Sequence, residues 1–250
     1  MAKWNTSLPL CTNWSGIVCN ADSRVIKLEV KDQRLSGGIP SAILGLTELE
    51  QLYLFRTRLN GSIPHEIRNL KKLTHLSLGL NKLEGPIPES IGELTMLQFL
   101  YLNDNKLEGN LPEGIRDMKH LKHLGLWTNR LTGNLPEVDP AKWPELEYLW
   151  LNANNFTGSI HPSLSRLPKL KVAYFAKNWN LGGNLPPGFS ELDSLQLLFV
   201  QQTNISGHLP CAFLDRPNMM RIDATITNIE GCQDMGCLKE KCENAEKTEL

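Results

Sequence analysis

A frame of 24 or 25 residues recurs along nearly the whole chain, and it excludes most compact folds before composition is considered. Leu52, Leu76, Leu100, Leu124, Leu149, Ala173 and Leu198 open successive copies, with Leu28 before them and Ile222 after. The stretches "LYLFRTRLNGSIP", "LSLGLNKLEGPIP", "LYLNDNKLEGNLP" and "LGLWTNRLTGNLP" keep the frame and change the inserts. Two residues beyond each opening position stands a second apolar one: Val30, Leu54, Leu78, Leu102, Leu126, Leu151, Phe175 and Val200. Alternation over so short a span predicts one strand per copy with the framed side chains facing inward. No copy can bury both its faces alone, so the copies must stack into one solenoid with a parallel sheet and capped ends. Single-residue insertions fall in "EVDPAKWP" after Pro136 and in "NWNLGG" around Trp179, where loops absorb them.

The rest of the frame is turn chemistry. Thr57, Asn81, Asn105, Asn129, Asn154, Asn178 and Thr203 form a polar column. Short amides and hydroxyls at stacked turns bond neighbouring backbone, so the column is expected to be a ladder rather than a binding site. After it comes Gly and then Ile-Pro or Leu-Pro, as in "GSIP" at Gly61 and "GNLP" at Gly133. Gly permits a tight turn there, and Pro suits an edge with no donor to satisfy.

The six cysteines lie only at the two ends: Cys11 and Cys19, then Cys211, Cys232, Cys237 and Cys242. Cysteines flanking a cysteine-free middle predict disulfide-stapled caps and an oxidising compartment, with the last four open among three pairings. Asn5, Asn13, Asn60, Asn155 and Asn204 begin Asn-x-Ser/Thr sequons, which agree with glycosylation in a secretory pathway. No apolar run reaches the roughly 18 residues that span a bilayer, and "MAKWNTSLPLC" lacks the apolar core of a signal peptide. The expectation is therefore a cytosolic chain or a mature or trimmed secreted one, and the cysteines favour the extracellular choice. The final residues Lys247 to Leu250 look like a lumenal retrieval signal of the endoplasmic reticulum, with a departure at the second position. A net charge of -1 and a pI near 6.6 exclude a generic nucleic-acid or anionic-membrane binder.

The repeat closely resembles that of plant-type extracellular leucine-rich repeat proteins, whose unit reads LxxLxxLxLxxNxLxGxIPxxLGx. "LTELEQLYLFRTRLNGSIPHEIRN", Leu46 to Asn69, matches it nearly throughout, and "CTNWSGIVC", Cys11 to Cys19, looks like that family's N-terminal cap signature, with Trp14 packed between two bonded cysteines. The resemblance runs from about residue 4 to 232 and implies an α/β repeat solenoid, a right-handed curved superhelix. Its parallel sheet would form the concave face, with short second strands and 3-10 turns on the convex side. It implies an N-terminal disulfide cap over 1–24, truncated because the family's helix before Trp4 lies upstream of Met1. About eight to nine repeats would follow over 25–231, then a C-terminal cysteine-containing cap and tail over 232–250. Receptor ectodomains, short co-receptors and polygalacturonase-inhibitor-like proteins belong to this class. The resemblance therefore implies a non-catalytic recognition module that binds a protein or peptide.

Function should reside in the inserts, which point out of the sheet. The position between the framed residues reads Glu29, Tyr53, Ser77, Tyr101, Gly125, Trp150, Tyr174, Phe199 and Asp223. The position after them reads Lys31, Phe55, Gly79, Asn103, Trp127, Asn152, Ala176, Gln201 and Thr225, and Phe99 and Tyr148 join from the position before. An aromatic content of only 7% is thus concentrated on one face, as at protein interfaces. A competing reading has the rings packing on one another merely to shield the sheet. Just after the polar column, Arg34, Arg58, Lys82, Lys106 and Arg130 repeat every 24 residues, a row about 20 Å long at the spacing of neighbouring strands. It suits an acidic partner such as an anionic polysaccharide, or else is a solvated rim offset by Glu84 and Glu108.

Motifs for catalysis are missing: there is no GxSxG, HExxH, GxGxxG or phosphate loop. His75 and His123 occupy equivalent outward positions and are expected to be ordinary exposed polar residues. Cys232, Cys237 and Cys242 have the look of disulfide partners rather than of a metal site. No enzyme activity, cofactor or metal is expected. Besides a peptide or polysaccharide ligand, a passive scaffold role remains open, whereas ice binding calls for a flat regular Thr or Asn array that the irregular columns do not supply.

Overall fold

Each opening Leu of the frame sits in a strand, and the strands stack in register with the repeat. The computed structural model describes residue 11, residues 14–135, 137, 139–209, 211–213, 218–224, 227–230 and 236. Asn5, Asn13, Cys232, Cys237, Cys242 and the Lys247 to Leu250 signal lie outside the described residues. A ten-stranded sheet forms one face. Its strands are Ile17–Cys19, Val25–Lys31, Gln51–Phe55, His75–Ser77, Phe99–Tyr101, His123–Gly125, Tyr148–Trp150, Val172–Tyr174, Leu197–Phe199 and Arg221–Asp223. All pairs after the first are parallel and offset by one repeat, as in Lys27 against Gln51, His75 against Phe99 and Tyr148 against Val172. Ile17–Cys19 turns back antiparallel on Val25–Lys31, and the Cys11–Cys19 disulfide ties the expected cap to it. Cys211 is also disulfide-bonded.

The framed side chains form the core. Leu52, Leu54, Leu76, Leu78, Leu100, Leu102, Leu124 and Leu126 are all fully buried. Each contributes roughly 1.5–3 kcal/mol on leaving water. The Ile-Pro and Leu-Pro pairs start the opposite side. Pro64, Pro88 and Pro112 cap the 3-10 helices His65–Asn69, Glu89–Glu93 and Glu113–Asp117, and their carbonyls accept the N–H of Ile67, Ile91 and Ile115. The fixed φ of proline ends the extended segment and presents that carbonyl to the turn. Ile67, Ile91 and Ile115 then bury themselves against the leucines. No helix of the described residues is long and apolar enough to cross a membrane.

The polar column is a ladder of amides. Asn105 Nδ2 donates to the carbonyls of Leu78 in the preceding coil and Leu102 in its own, both at 3.0 Å, while Oδ1 accepts from Leu83 N–H at 3.0 Å. Asn81, Asn129, Asn154 and Asn178 repeat the arrangement. The residue before each column position is left-handed: Arg56, Leu80, Asp104, Thr128, Ala153, Lys177 and Gln202 have φ of 52 to 58°, as does Asp32 at the first coil. Not one of them is Gly. Such a φ costs an L residue about 1 kcal/mol or more. It is held because the turn drives the next side chain inward to its carbonyls.

Short second strands leave the turns. Asn60–Gly61, Lys82–Pro86, Lys106–Gly109 and Arg130–Leu131 form a four-stranded sheet, followed by two-stranded pairs in the later coils. Here partners are offset by two residues less than the repeat: Asn60 faces Lys82, Glu84 faces Lys106 and Glu108 faces Arg130.

Replacing Asn105 by Ala leaves the buried Leu83 N–H without its acceptor and takes one of two amide donors from each of the Leu78 and Leu102 carbonyls, which keep Asn81 and Asn129, so we expect a loss of about 2 kcal/mol, or a Tm lower by about 6 °C. Calorimetry on the purified variant checks this, with exposed Asn110→Ala expected to change Tm by under about 2 °C.

Candidate ligand-binding face

The outward side chains of the ten-stranded sheet meet in rows because its register equals the repeat. Tyr53, Phe99, Tyr101, Trp127, Tyr148 and Trp150 are half-buried, each covered by its neighbours and open along one edge. They form one ladder of rings, and two histidines complete it. Tyr53 lies 6.1 Å from His75, which stacks on Phe99 at 4.3 Å, and Phe99 meets His123 edge-on at 4.7 Å. His123 reaches Tyr148 at 4.4 Å, Tyr148 stacks on Trp150 at 5.0 Å, and Trp150 meets Trp127 at 5.8 Å. Tyr101 closes the group, 6.5 Å from Trp127 and bonded through its hydroxyl to His123 Nδ1 at 2.5 Å. Gly125 makes this closure possible. A Cβ there would stand 2.7 Å from both Trp127 and Tyr101, so the missing side chain is the space the indole fills.

The histidines correct the expectation of exposed polar residues. They occupy the same register position as Phe99 and Tyr148 and behave as rings of the ladder. Not every outward position is open, either. Ser77, Gly79, Asn103, Gly125 and Ala176 are buried beneath larger neighbours. Of the other predicted aromatics, Tyr174 and Phe199 form a separate pair at 4.6 Å, and Phe55 stands apart beneath Arg56. Lys27 and Lys31 lie over Tyr53 at 5.4 and 5.6 Å, both bonded to Glu29, whose carboxyl they hold below its usual range. Arg221 covers Phe199 at 5.4 Å.

The cationic row lies elsewhere. Arg34, Arg58, Lys82, Lys106 and Arg130 are exposed, but the last three belong to the second sheet and Arg58 leads into it. The offset register sets Glu84 beside Lys106 and Glu108 beside Arg130, so equivalent cations are diagonal neighbours. The expected straight track about 20 Å long is thereby replaced by a ribbon of alternating sign.

A leucine-rich repeat family model matches residues 47–107 and a second matches 145–167. The chain has the leucine-rich repeat fold. A probable leucine-rich repeat receptor-like protein kinase of Arabidopsis thaliana is 40% identical over 52 residues, 21% of this chain and 6% of that kinase. The leucine-rich repeat ectodomain of the Arabidopsis receptor kinase HAESA, solved with an N-terminally extended IDA peptide hormone, superposes with a TM-score of 0.77 at 29% identity. That match covers 87% of this chain and 36% of the ectodomain. A plant ice-binding protein superposes with a TM-score of 0.75 at 27% identity, covering 90% of this chain and 80% of its own. The chain thus spans about a third of the receptor ectodomain and a small part of the receptor kinase.

Within the leucine-rich repeat sheet, burial dominates the titration of the rings. Loss of water lowers the pKa of His75, helped by Lys122 and Lys27. Burial likewise lowers that of His123, with Lys122, Lys171 and His75 adding to it and Glu147 opposing. Burial pushes the Tyr101 phenol up to about 12. A histidine whose folded pKa is lowered favours the neutral ring in the fold. Its stabilisation is complete above the unfolded value of about 6.5 and is lost as pH falls through the lowered folded value. Stability should therefore begin to decline just below pH ~6.5, before the carboxylates titrate. Urea melts of wild type and of His75→Phe/His123→Phe across the acid range check this, the variant being expected to stay flat to about pH 5.

Proposed function

We propose that this chain is a non-catalytic recognition module whose concave ring face binds an extended peptide on the extracellular side. The observation that carries the reading is the uninterrupted ladder from Tyr53 to Trp150. Rings held rigid by one another offer large apolar area at little entropic cost, and indoles are the usual anchors of interfaces. That they also shield the sheet does not compete with this role. An extended segment laid across the strands rises about 3.3 Å per residue and would cross a new coil about every 4.8 Å, so it would meet a new ring roughly every one to two residues.

Two further observations support it. The HAESA ectodomain, with the same coil architecture, is solved with a peptide hormone. Asn60, Asn155 and Asn204 begin sequons, are exposed and fall on the side of the second strands, so glycans attached there would leave the ring face clear.

Capture of peptides from extracellular fluid on the immobilised protein, identified by mass spectrometry and titrated by calorimetry, tests the proposal. Trp127→Ala/Trp150→Ala should weaken the captured peptide about 100-fold or more. Unchanged affinity would overturn the reading. Loss instead on Lys82→Ala/Lys106→Ala/Arg130→Ala with steep salt dependence would assign the work to a polyanion along the second sheet. Loss with neither set would leave a scaffold that works through its convex side or caps.

A further inference from the structure

We infer that the ring face carries a carboxylate-binding point formed by Lys122 and His123, so that the peptide it takes is an acidic one. This rests on the peptide reading above and adds the chemistry of the ligand. Lys122 belongs to a row at the leading edge of the sheet, Glu50, Thr74, Gln98, Lys122, Glu147, Lys171 and Gln196, in which each N–H bonds the carbonyl of the residue before it. The row borders the column that holds His75, Phe99, His123 and Tyr148. Gln98 O accepts the N–H of both Lys122 and His123, at 2.8 and 3.0 Å, so the two residues leave the sheet edge together. Glu147 is held by Lys171 at 2.7 Å, whereas Lys122 has no ion pair among the described residues. With Glu147 and Lys171 paired, and Glu50 three strands away at the far end of the row, Lys122 is the unpaired charge beside His123.

The hydrogen-bond network assigns the second donor. The Tyr101 hydroxyl has one proton and, among the described residues, one acceptor, His123 Nδ1. Its donation leaves the neutral ring of His123 protonated at Nε2. No described residue accepts from that nitrogen. His75 is the opposite tautomer. Thr74 Oγ1 gives its proton to Glu50 O at 3.0 Å and so takes the Nδ1–H of His75 at 2.9 Å, which leaves Nε2 an acceptor. Of the two histidines in the ladder, only His123 offers a donor, and it is the one next to Lys122 in sequence. The imidazole N–H of His123 lies beside the rings of Phe99 and Tyr148, and the Lys122 ammonium is near enough to disfavour protonation of both histidines, an arrangement that suits a carboxylate. The rings exclude water from one side and strengthen both charge-assisted bonds.

Panning a phage-displayed library of random linear peptides tests this, using wild type, Lys122→Glu and Trp127→Ala/Trp150→Ala as parallel baits. Wild type should enrich clones with Asp or Glu beside an apolar or aromatic residue, and both variants should lose them. One enriched peptide is then compared with its Asn or Gln analogue. Lys122→Ala, and His123→Phe, which keeps a ring in place and removes the Nε2 donor, should each weaken the acidic peptide about fivefold to tenfold and the analogue hardly at all. Clones that depend on the tryptophans, show no acidic preference and survive Lys122→Glu would overturn this inference and leave the peptide reading standing. Enrichment on wild type no greater than on the tryptophan variant would overturn both.

Discussion

The asparagine ladder is the constraint on which the other features depend. Each amide satisfies a carbonyl of the preceding coil and one of its own, and accepts an N–H of the preceding coil as well. Those backbone groups are stranded because every coil must leave its strand and turn within a few residues, and unpaired they would cost about 1–3 kcal/mol each. The ladder therefore fixes the vertical spacing of the coils, the left-handed residue before every amide, and the register of the ten-stranded sheet. Leucine burial supplies most of the stabilising energy, yet it is non-directional and would tolerate slippage. The amides are what make a shift of one residue intolerable.

Much of this was legible before the structure. Alternating Leu positions, the polar column and the Gly-x-Ile-Pro turns each have a local physical reason, and repetition multiplied a weak signal into a strong one. What the pattern did not reveal was the left-handed column. Arg56, Leu80, Asp104, Thr128, Ala153, Lys177 and Gln202 share no residue type, because a conformation enforced by the ladder from outside needs no Gly to permit it. The histidines depart from expectation for a related reason. Side-chain type alone makes His75 and His123 polar and exposed, whereas their place in the column of Phe99 and Tyr148 decides their burial.

The ring face shows how a frame built for stability becomes specific. The leucines and amides vary little from coil to coil and face inward, leaving the outward positions free of folding duty. Gly125 is the clearest case: its missing side chain belongs to the space that Trp127 fills, so a small residue at one coil is part of the surface made by its neighbours. The single residues of a column therefore have to be read together with the columns on either side.

Column reading from sequence also carries a hidden assumption, and the two sheets test it in opposite directions. On the ten-stranded sheet the pairing offset equals the repeat, so residues one repeat apart are lateral neighbours and a sequence column becomes a physical row. On the second sheet the offset is two residues shorter, and residues one repeat apart are displaced along the strand as well as across it. The same periodicity that gathers rings into a ladder on one side thus interleaves Lys82, Lys106 and Arg130 with Glu84 and Glu108 on the other. A row of like charges at strand spacing would repel and would bind polyanions indiscriminately. The offset spreads those charges and sets Lys106 beside Glu84 and Arg130 beside Glu108, so the flank alternates in sign while the ring face keeps its continuous row. Register, rather than the residues alone, decides which of the two columns becomes a continuous row.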